Sequence, residues 1–489
     1  MVLLGFFILS FLSGLLVFLC GFKHNQCKTL VKAITLIFAF LHLALVVYCW
    51  IRIDETELTY FTFDKLGVLL LSILSLLTFT TIYHGFIYLK DETPKRFAIY
   101  HAALIALIFS MSGAYLANGI IVTWIFVEAT TLSVVALIYH DRTASSLEAA
   151  WKYFFVCSIG ITLAYIGILF LGFTVSGSDI LELSFTELSK MSLQAEPLYL
   201  KIAFIFIFVG YSTKMGLFPM HTVTIDAHSV SPPPISAFIS TTLMNVGFIA
   251  IFRVYSMLST TMQAGTNIHQ FMNNLLILSG ILSLLIASGY MLKAKHNKRM
   301  LAYSSLENMG IVAIALGVGG IAYYAAILHI VLHSLTKAGL FYQMGQSKKV
   351  LGTYMLDESG DYLRLYPAGA AALMLGIICI VAIPPSGLFI SEFMLFKAMV
   401  ANGEYFYLIA TVLLLTFVIY ALITRVLHIL FSKPRGNENP YTETHKSNKV
   451  NPVQTVSQFL LFGMVIYICF SQPEFLKNTI NSIIQNLPK

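Results

Sequence analysis

The chain has 489 residues, of which 58% are hydrophobic and only 11% charged, with a formal net charge of +7. A soluble domain carries about 25% charged residues because its surface must meet water. This composition therefore excludes a free soluble enzyme and puts lipid over most of the exterior. Its lysines and arginines are scattered over loops and not gathered on one face, which argues against a nucleic-acid surface.

A spanning helix needs about 20 apolar residues to cross about 30 Å of hydrocarbon. About fourteen such stretches follow one another, centred near Leu12, Phe40, Ile73, Leu107, Val127, Tyr165, Ile207, Leu243, Ile281, Val312, Val331, Val381, Leu415 and Phe462. The expectation is an all-α integral membrane protein of about 14 transmembrane helices. The first stretch has no basic region before it and no small-residue cleavage site after it, so it reads as a retained helix. The longest polar stretches, near 174–199, 346–367 and 433–452, are too short for a folded domain, so soluble catalysis is expected to come from a partner. The six cysteines form no Cys-x-x-Cys pair and sit mostly in apolar runs, where a thiol is a small hydrophobe. No redox centre, metal site or cofactor is expected in the chain.

Assigning the connections alternately to two sides sorts the cations. One side takes Lys23, Lys28, Lys32, Lys90, Lys95, Arg96, Arg142, Lys152, Lys293, Lys295, Lys298, Arg299, Lys348, Lys349, Arg364, Lys433, Arg435, Lys446 and Lys449; the other takes Arg52, Lys65, Lys190, Lys201, Arg253, Lys477 and Lys489. The positive-inside bias puts the first group in the cytoplasm. The expected location is a bacterial inner (plasma) membrane, with both termini outside.

Four cations do not fall near loops: Lys214, Lys337, Lys397 and Arg425. Glu128 and Glu392 lie inside apolar runs, and Glu307 lies near the start of one. A charge at the centre of a spanning helix costs about 2.5–3.5 kcal/mol, and such residues usually face the protein interior and mark ion or proton paths. Glu128 sits far from both ends of its run; a structural carboxylate is the rival reading. Lys214 opens Lys214-Met-Gly216-Leu-Phe-Pro219-Met-His221, where Gly216 and Pro219 should break the helix just after the lysine. Irregular backbone at that depth is tolerated where it lines a cavity or is buried in protein. His329, His333 and Lys337 recur every four residues, so they share one helical stripe of about 12 Å. Two histidines and a lysine in one apolar stripe suit a proton relay, because histidine titrates near neutrality. Glu392 follows a second break at Pro384, Pro385 and Gly387. Two interrupted spans, five apart, carry the signature of an inverted-repeat transporter. Lys397 reads as a snorkelling side chain; for Arg425 the same reading stays open.

Taken together, Glu128, the Lys214 to His221 break, Asp226-Ala-His228-Ser followed by Pro232-Pro-Pro-Ile-Ser236, the His329/His333/Lys337 stripe and Glu392 after its break resemble the antiporter-type subunits of respiratory complex I, cation/proton antiporter complexes and membrane-bound hydrogenases. The resemblance covers roughly residues 60–430. Within that family, Leu301-Ala-Tyr303-Ser-Ser-Leu-Glu307-Asn308-Met-Gly310 looks most like the hydrogenase-4 branch. The resemblance implies two inverted five-helix repeats, placed here at 96–257 and 258–432, with N-terminal helices over 1–95 and a C-terminal loop and helix over 433–489. It also implies a proton path along Glu128, Lys214, His221, His228, Asn245, Glu307, His329, His333, Lys337 and Glu392. Two departures stand out. Asn245 occupies a place where many complex I members have a buried lysine or histidine, and His-Thr-Val-Thr-Ile-Asp (221–226) lacks the tryptophan and proline of its relatives.

The expected function is a proton-translocating membrane subunit of a redox-driven, hydrogenase 4-type complex. Its partners would be other membrane subunits and a peripheral redox module of the nickel–iron hydrogenase kind. Uphill pumping of one charge against 100 mV needs about 2.3 kcal/mol, and no Walker-type glycine-lysine run supplies a nucleotide site. The rivals are a gradient-driven cation/proton antiporter component, a partner in inorganic-carbon uptake, and a membrane scaffold without transport.

Overall fold

The computed structural model describes residues 1–22, 27–173, 184–192, 196–259, 268–433 and 450–488. The cations Lys23, Arg435, Lys446, Lys449 and Lys489, assigned to sides above, lie outside the described residues. Lipid offers the backbone no hydrogen bonds, so a spanning segment must satisfy its own, and helices do this. Among the described residues the sheet content is one two-stranded hairpin, Thr56–Glu57 against Phe61–Thr62.

Thirteen helices among the described residues are long and apolar enough to span. In chain order the first eleven spans are Val2–Cys20, Lys28–Ile51, Lys65–Tyr88, Pro94–Leu116, Ile120–Ile138, Ala144–Gly172, Pro197–Met215, Pro233–Ser259, Ile268–Lys293, Asn297–Val318 and Ile321–Leu351. The thirteenth and fourteenth are Tyr405–Phe431 and Pro452–Phe470. The twelfth is a pair of short helices, Pro367–Ile380 and Gly387–Ala401. The sequence count of fourteen and the thirteen long helices therefore agree, because the run centred on Val381 is broken at its middle. The five cysteines whose side chains are described are free thiols.

The chain divides into two compact units. Residues 1–235, 242–275 and 478–489 form the first, and residues 236–241 and 276–477 the second.

In the first unit the sixth and seventh spans pack very closely. A Cβ on Gly210 would lie 2.5 Å from the carbonyl oxygen of Gly160. Small residues are what let helix backbones approach where lipid tails are as apolar as leucine. Arg253 sits among the outward cations in sequence, yet it is buried. Its Nη2 donates to Asp64 Oδ1 at 2.6 Å and to the Tyr115 carbonyl at 2.6 Å, and its Nη1 donates to the Ala114 carbonyl at 3.1 Å. Asp64 in turn caps the third span by accepting from Gly67 N–H. One guanidinium, with its fork of five donors, thus ties together the ends of the third, fourth and eighth spans.

In the second unit the tenth and eleventh spans are buried over their apolar stretches, whereas only about a third of the thirteenth and fourteenth is buried, as in lipid-facing helices. At the start of the tenth span Lys298 is also buried, its Nζ 5.3 Å from the Tyr354 ring centre. His296 caps this span, its Nδ1 accepting from Arg299 N–H at 3.4 Å. Burial, with the cations Lys298, Arg299 and Lys348 nearby, pushes the His296 imidazole down to about 4.

The native pKa of His296 lies below its unfolded value of about 6.5, so between these limits the unfolded chain binds a proton that the native protein refuses. Stability should be unaffected above pH 6.5 and fall as the pH drops from there toward 4. His296→Asn keeps a cap acceptor without titrating. Thermal melts across this range should show a shallower acid decline in His296→Asn than in the wild type, and equal slopes would show that His296 contributes nothing.

Candidate functional site

The first cluster grows from the fifth, sixth and seventh spans. Lys214 is buried near the end of the seventh, which stops at Met215. Gly216 terminates it with φ +74, a left-handed conformation that glycine adopts without a Cβ clash. The chain then runs irregularly through Pro219 and His221 before the short helix Thr222–Val230. The break falls where the sequence places it, one residue past the lysine. Lys214 Nζ donates to Thr131 Oγ1 at 2.7 Å, and the Thr131 hydroxyl donates to Glu128 Oε2 at 3.1 Å. Ser158 Oγ donates to the other carboxylate oxygen at 3.1 Å. Glu128 and Lys214 are thus joined through a hydroxyl, which can accept from one and donate to the other. The ammonium also lies 5.1 Å from the Tyr153 ring centre, a cation–π contact that replaces part of its lost hydration.

Beyond the break, His221 is buried with its ring stacked on Phe218, and His228 is fully buried in the following helix. Asp226, three residues into the same helix from Val223, lies 3.8 Å from Lys152 Nζ. Asn245 is fully buried in the eighth span, directly after a wider helical turn over Ile239–Leu243. Such π turns recur at functional sites.

The second cluster grows from the tenth, eleventh and twelfth spans. Glu307, expected near the start of an apolar run, stands midway along Asn297–Val318 and is buried. The apolar count underestimates this helix because its first turn carries Asn297, Lys298 and Arg299, of which Asn297 and Lys298 are nonetheless buried. Glu307 Oε2 accepts from Asn308 Nδ2, whose second bond goes to the Ser304 carbonyl at 2.7 Å. Asn308 Oδ1 lies 3.0 Å from His329 Nε2, and His329 Nδ1 lies 3.0 Å from Ser391 Oγ. His329, His333 and Lys337 are all buried along the eleventh span, as the four-residue spacing predicts. Lys337 Nζ donates to the Leu301 carbonyl at 2.9 Å and lies within Coulomb range of Glu307. The twelfth span stops at Ile380 and resumes at Gly387, so the second break begins a few residues before Pro384 and Pro385. Ala382 takes φ +53 inside it. Glu392 is half-buried one turn past the restart and within Coulomb range of Glu307.

Within its own unit, each cluster brings its candidate residues together through partners that sequence reading missed: Thr131, Ser158, Asn308 and Ser391. For three of them a weak signal is present: Thr131 stands three residues after Glu128, Asn308 follows Glu307 and Ser391 precedes Glu392, each a polar residue within one turn of an acid in an apolar helix, whereas Ser158 has no acid within a turn. Away from the clusters, Lys397 is exposed and Arg425 is half-buried, its Nη2 donating to the Leu292 carbonyl at 2.8 Å. Among the described residues no group of three or more His, Cys, Asp or Glu is gathered for a metal ion.

Comparison with known proteins places these clusters in context. Residues 117–418 match the family model described as "NADH:quinone oxidoreductase/Mrp antiporter, TM". A hydrogenase-4 component F homolog from Methylacidiphilum infernorum (isolate V4) is 33% identical, over 84% of this chain and 86% of its own length. A chain of the membrane-bound sulfane sulfur reductase, an archaeal respiratory membrane complex, superposes with a TM-score of 0.85 at 20% identity, covering 99% of this chain and 97% of that one. A chain of respiratory complex I from Thermus thermophilus superposes with a TM-score of 0.76 at 20% identity, covering 95% and 96%. At such identities the two structures speak for the fold.

If Thr131 is the link between Lys214 and Glu128, the three residues are energetically coupled. Thr131→Val removes the hydroxyl at nearly constant shape. A double-mutant cycle of Thr131→Val with Lys214→Met, read from unfolding in detergent, should give a coupling of about 1 kcal/mol. Additive effects would mean that the bond contributes no coupling.

Proposed function

Because the chain belongs to the NADH:quinone oxidoreductase/Mrp antiporter transmembrane family, we propose that it is a proton-translocating subunit of a redox-driven membrane complex of the hydrogenase-4 kind. The observation that carries this reading is a pair of hydrogen-bonded titratable clusters, each beside an interrupted helix: Glu128–Thr131–Lys214 and Asn308–His329–Ser391 with Glu307, Lys337 and Glu392 around it, the lysines, Glu307 and His329 buried and Glu128 and Glu392 half-buried.

A buried ammonium is stable only while something nearby offsets its lost hydration. Glu128 does so for Lys214 through Thr131, and Glu307 does so for Lys337 through its field. A change in the charge of either acid therefore raises or lowers the hold of its lysine on a proton. In this scheme His329 and His333 carry protons along the eleventh span, and Glu392 exchanges them at the restart of the twelfth. His221, His228 and Asn245 serve the stretch beyond the first break, Asn245 by hydrogen bonding alone because an amide does not titrate. The helix breaks expose backbone amides and carbonyls at membrane depth, where they can order water.

The energy comes from partners. The hydrogenase-4 component F relative supports a peripheral redox module of the nickel–iron hydrogenase kind, alongside other membrane subunits. The two interrupted spans, the seventh and the twelfth, support inverted repeats over 96–257 and 258–432. The cation asymmetry supports a bacterial plasma membrane location with both termini outside.

Two measurements test the proposal. Lys214→Met and Lys337→Met keep length and remove charge, so each should cut proton uptake by vesicles holding the assembled complex to below about a tenth of the wild type. Uptake at the wild-type rate per assembled complex would make the lysines structural. Cysteine labelling should place positions 295 and 348 in the cytoplasm; labelling from the outside would invert the topology.

A further inference from the structure

Counting hydrogens around His329 distinguishes its two ring nitrogens. Asn308 Nδ2 faces the Ser304 carbonyl and the Glu307 carboxylate, both acceptors. Turning the amide over would set its oxygen against two other oxygens, so the orientation is determined. Asn308 Oδ1 is therefore the atom facing His329 Nε2, and it can only accept. His329 must carry a hydrogen on Nε2, whether the ring is neutral or charged.

The other ring nitrogen faces a group of the opposite kind. Ser391 Oγ lies 3.0 Å from His329 Nδ1 and 2.8 Å from the Leu388 carbonyl. A hydroxyl has one hydrogen, and two acceptors compete for it when the ring is neutral. With His329 neutral, Ser391 donates to Nδ1. With His329 charged, Nδ1–H donates to Ser391 Oγ and the hydroxyl hydrogen turns to Leu388. That carbonyl stands four residues before Glu392, on the same helical face.

We propose that Asn308 locks His329 in its Nε2–H form and insulates it from Glu307, so that His329 takes up and releases protons only at Nδ1, toward Ser391, whose hydroxyl turns with each transfer. The inference rests on the relay reading above and assigns the proton exchange of His329 to one ring nitrogen. On uptake the Nδ1 lone pair takes a proton from a hydronium or water arriving on the Ser391 side of the ring, and on release the same N–H bond breaks and the proton returns to water there; Ser391 only turns its hydroxyl, and the Nε2–H bond never breaks. Glu307 acts on the stripe through its field and not by passing a proton through the amide. The titratable groups around His329 are Glu307 on the tenth span, His333 and Lys337 on its own helix, and Glu392 on the twelfth. Asn308 and Ser391 are positioning residues, since neither keeps the proton.

The test separates the lock from the relay. In the full complex labelled with [15N]histidine, the His329 signal in solid-state NMR is the one lost in His329→Gln. The neutral wild-type ring should show the Nε2–H form alone, and Asn308→Leu should add a second, Nδ1–H population. An Nδ1–H signal in the wild type, or an unmixed Nε2–H signal in Asn308→Leu, overturns the lock. Ser391→Ala should slow proton uptake about tenfold, and Ser391→Thr, which keeps the hydroxyl, should restore it to within about twofold. Wild-type uptake in Ser391→Ala overturns the hydroxyl's part. Undiminished uptake in His329→Gln would instead refute the relay, while the NMR result still decides the tautomer.

Discussion

The buried cations of this protein answer to one constraint: a charge placed among apolar helices must find an oxygen, a counter-charge or a ring, because lipid offers none. Lys214 ends on a threonine hydroxyl and Lys337 on a backbone carbonyl, while Arg253 divides its donors between a carboxylate and two carbonyls. Three basic residues thus solve one problem in different ways. Arg253, with a direct ionic partner, joins helix ends. The two lysines are held by neutral oxygens, with acids nearby but not in direct contact, and such an arrangement leaves a proton free to come and go.

That difference depends on backbone geometry. Arg253 finds its two carbonyls at the end of the fourth span, where the ladder stops, whereas Lys337 shares the Leu301 carbonyl inside a continuous helix. The stop after Met215 is made by a glycine in the left-handed region, and the gap between Ile380 and Gly387 is bordered by consecutive prolines. Each break lies close to the residues that form the clusters. Where helices must come unusually near one another, as at Gly160 and Gly210, missing side chains make the approach possible and bring the seventh span against the sixth. Lys214 then reaches the fifth span, where Thr131 bridges it to Glu128, which Ser158 of the sixth also holds.

Much of this is legible in the linear chain because membrane depth simplifies the code. An apolar run of about 20 residues has few structural options, so the spans, the two breaks and the isolated charges can be read directly. The stripe of His329, His333 and Lys337 follows from helical spacing alone. The twelfth span shows how far that reading reaches: Pro384, Pro385 and Gly387 mark its break, while the backbone puts the start of the gap a few residues earlier, after Ile380. Glu307 shows a limit, since Asn297, Lys298 and Arg299 look like a loop and instead form the first turn of its helix, the first two of them buried. Arg253 and Lys298 look like surface cations by position and are buried.

What the sequence determined by itself is the class of the molecule, the number and order of its spans, the positions of its breaks and the burial of Lys214 and Lys337, since all of these follow from local hydropathy and from glycine and proline chemistry. What only the tertiary structure decided is how those charges are satisfied. Thr131, Ser158, Asn308 and Ser391 are ordinary polar residues in sequence. Their roles arise because packing sets a hydroxyl or an amide within about 3 Å of a group on another helix, as Ser391 is set against His329, or orders the turn beside an acid, as Asn308 does with Glu307. Hydrogen bonding is short-ranged and directional, whereas the sequence pattern carries only which face of a helix a residue occupies. The burial of Lys214 and Lys337 was therefore local information; the burial of Arg253 and Lys298, and the partners of all four, were not.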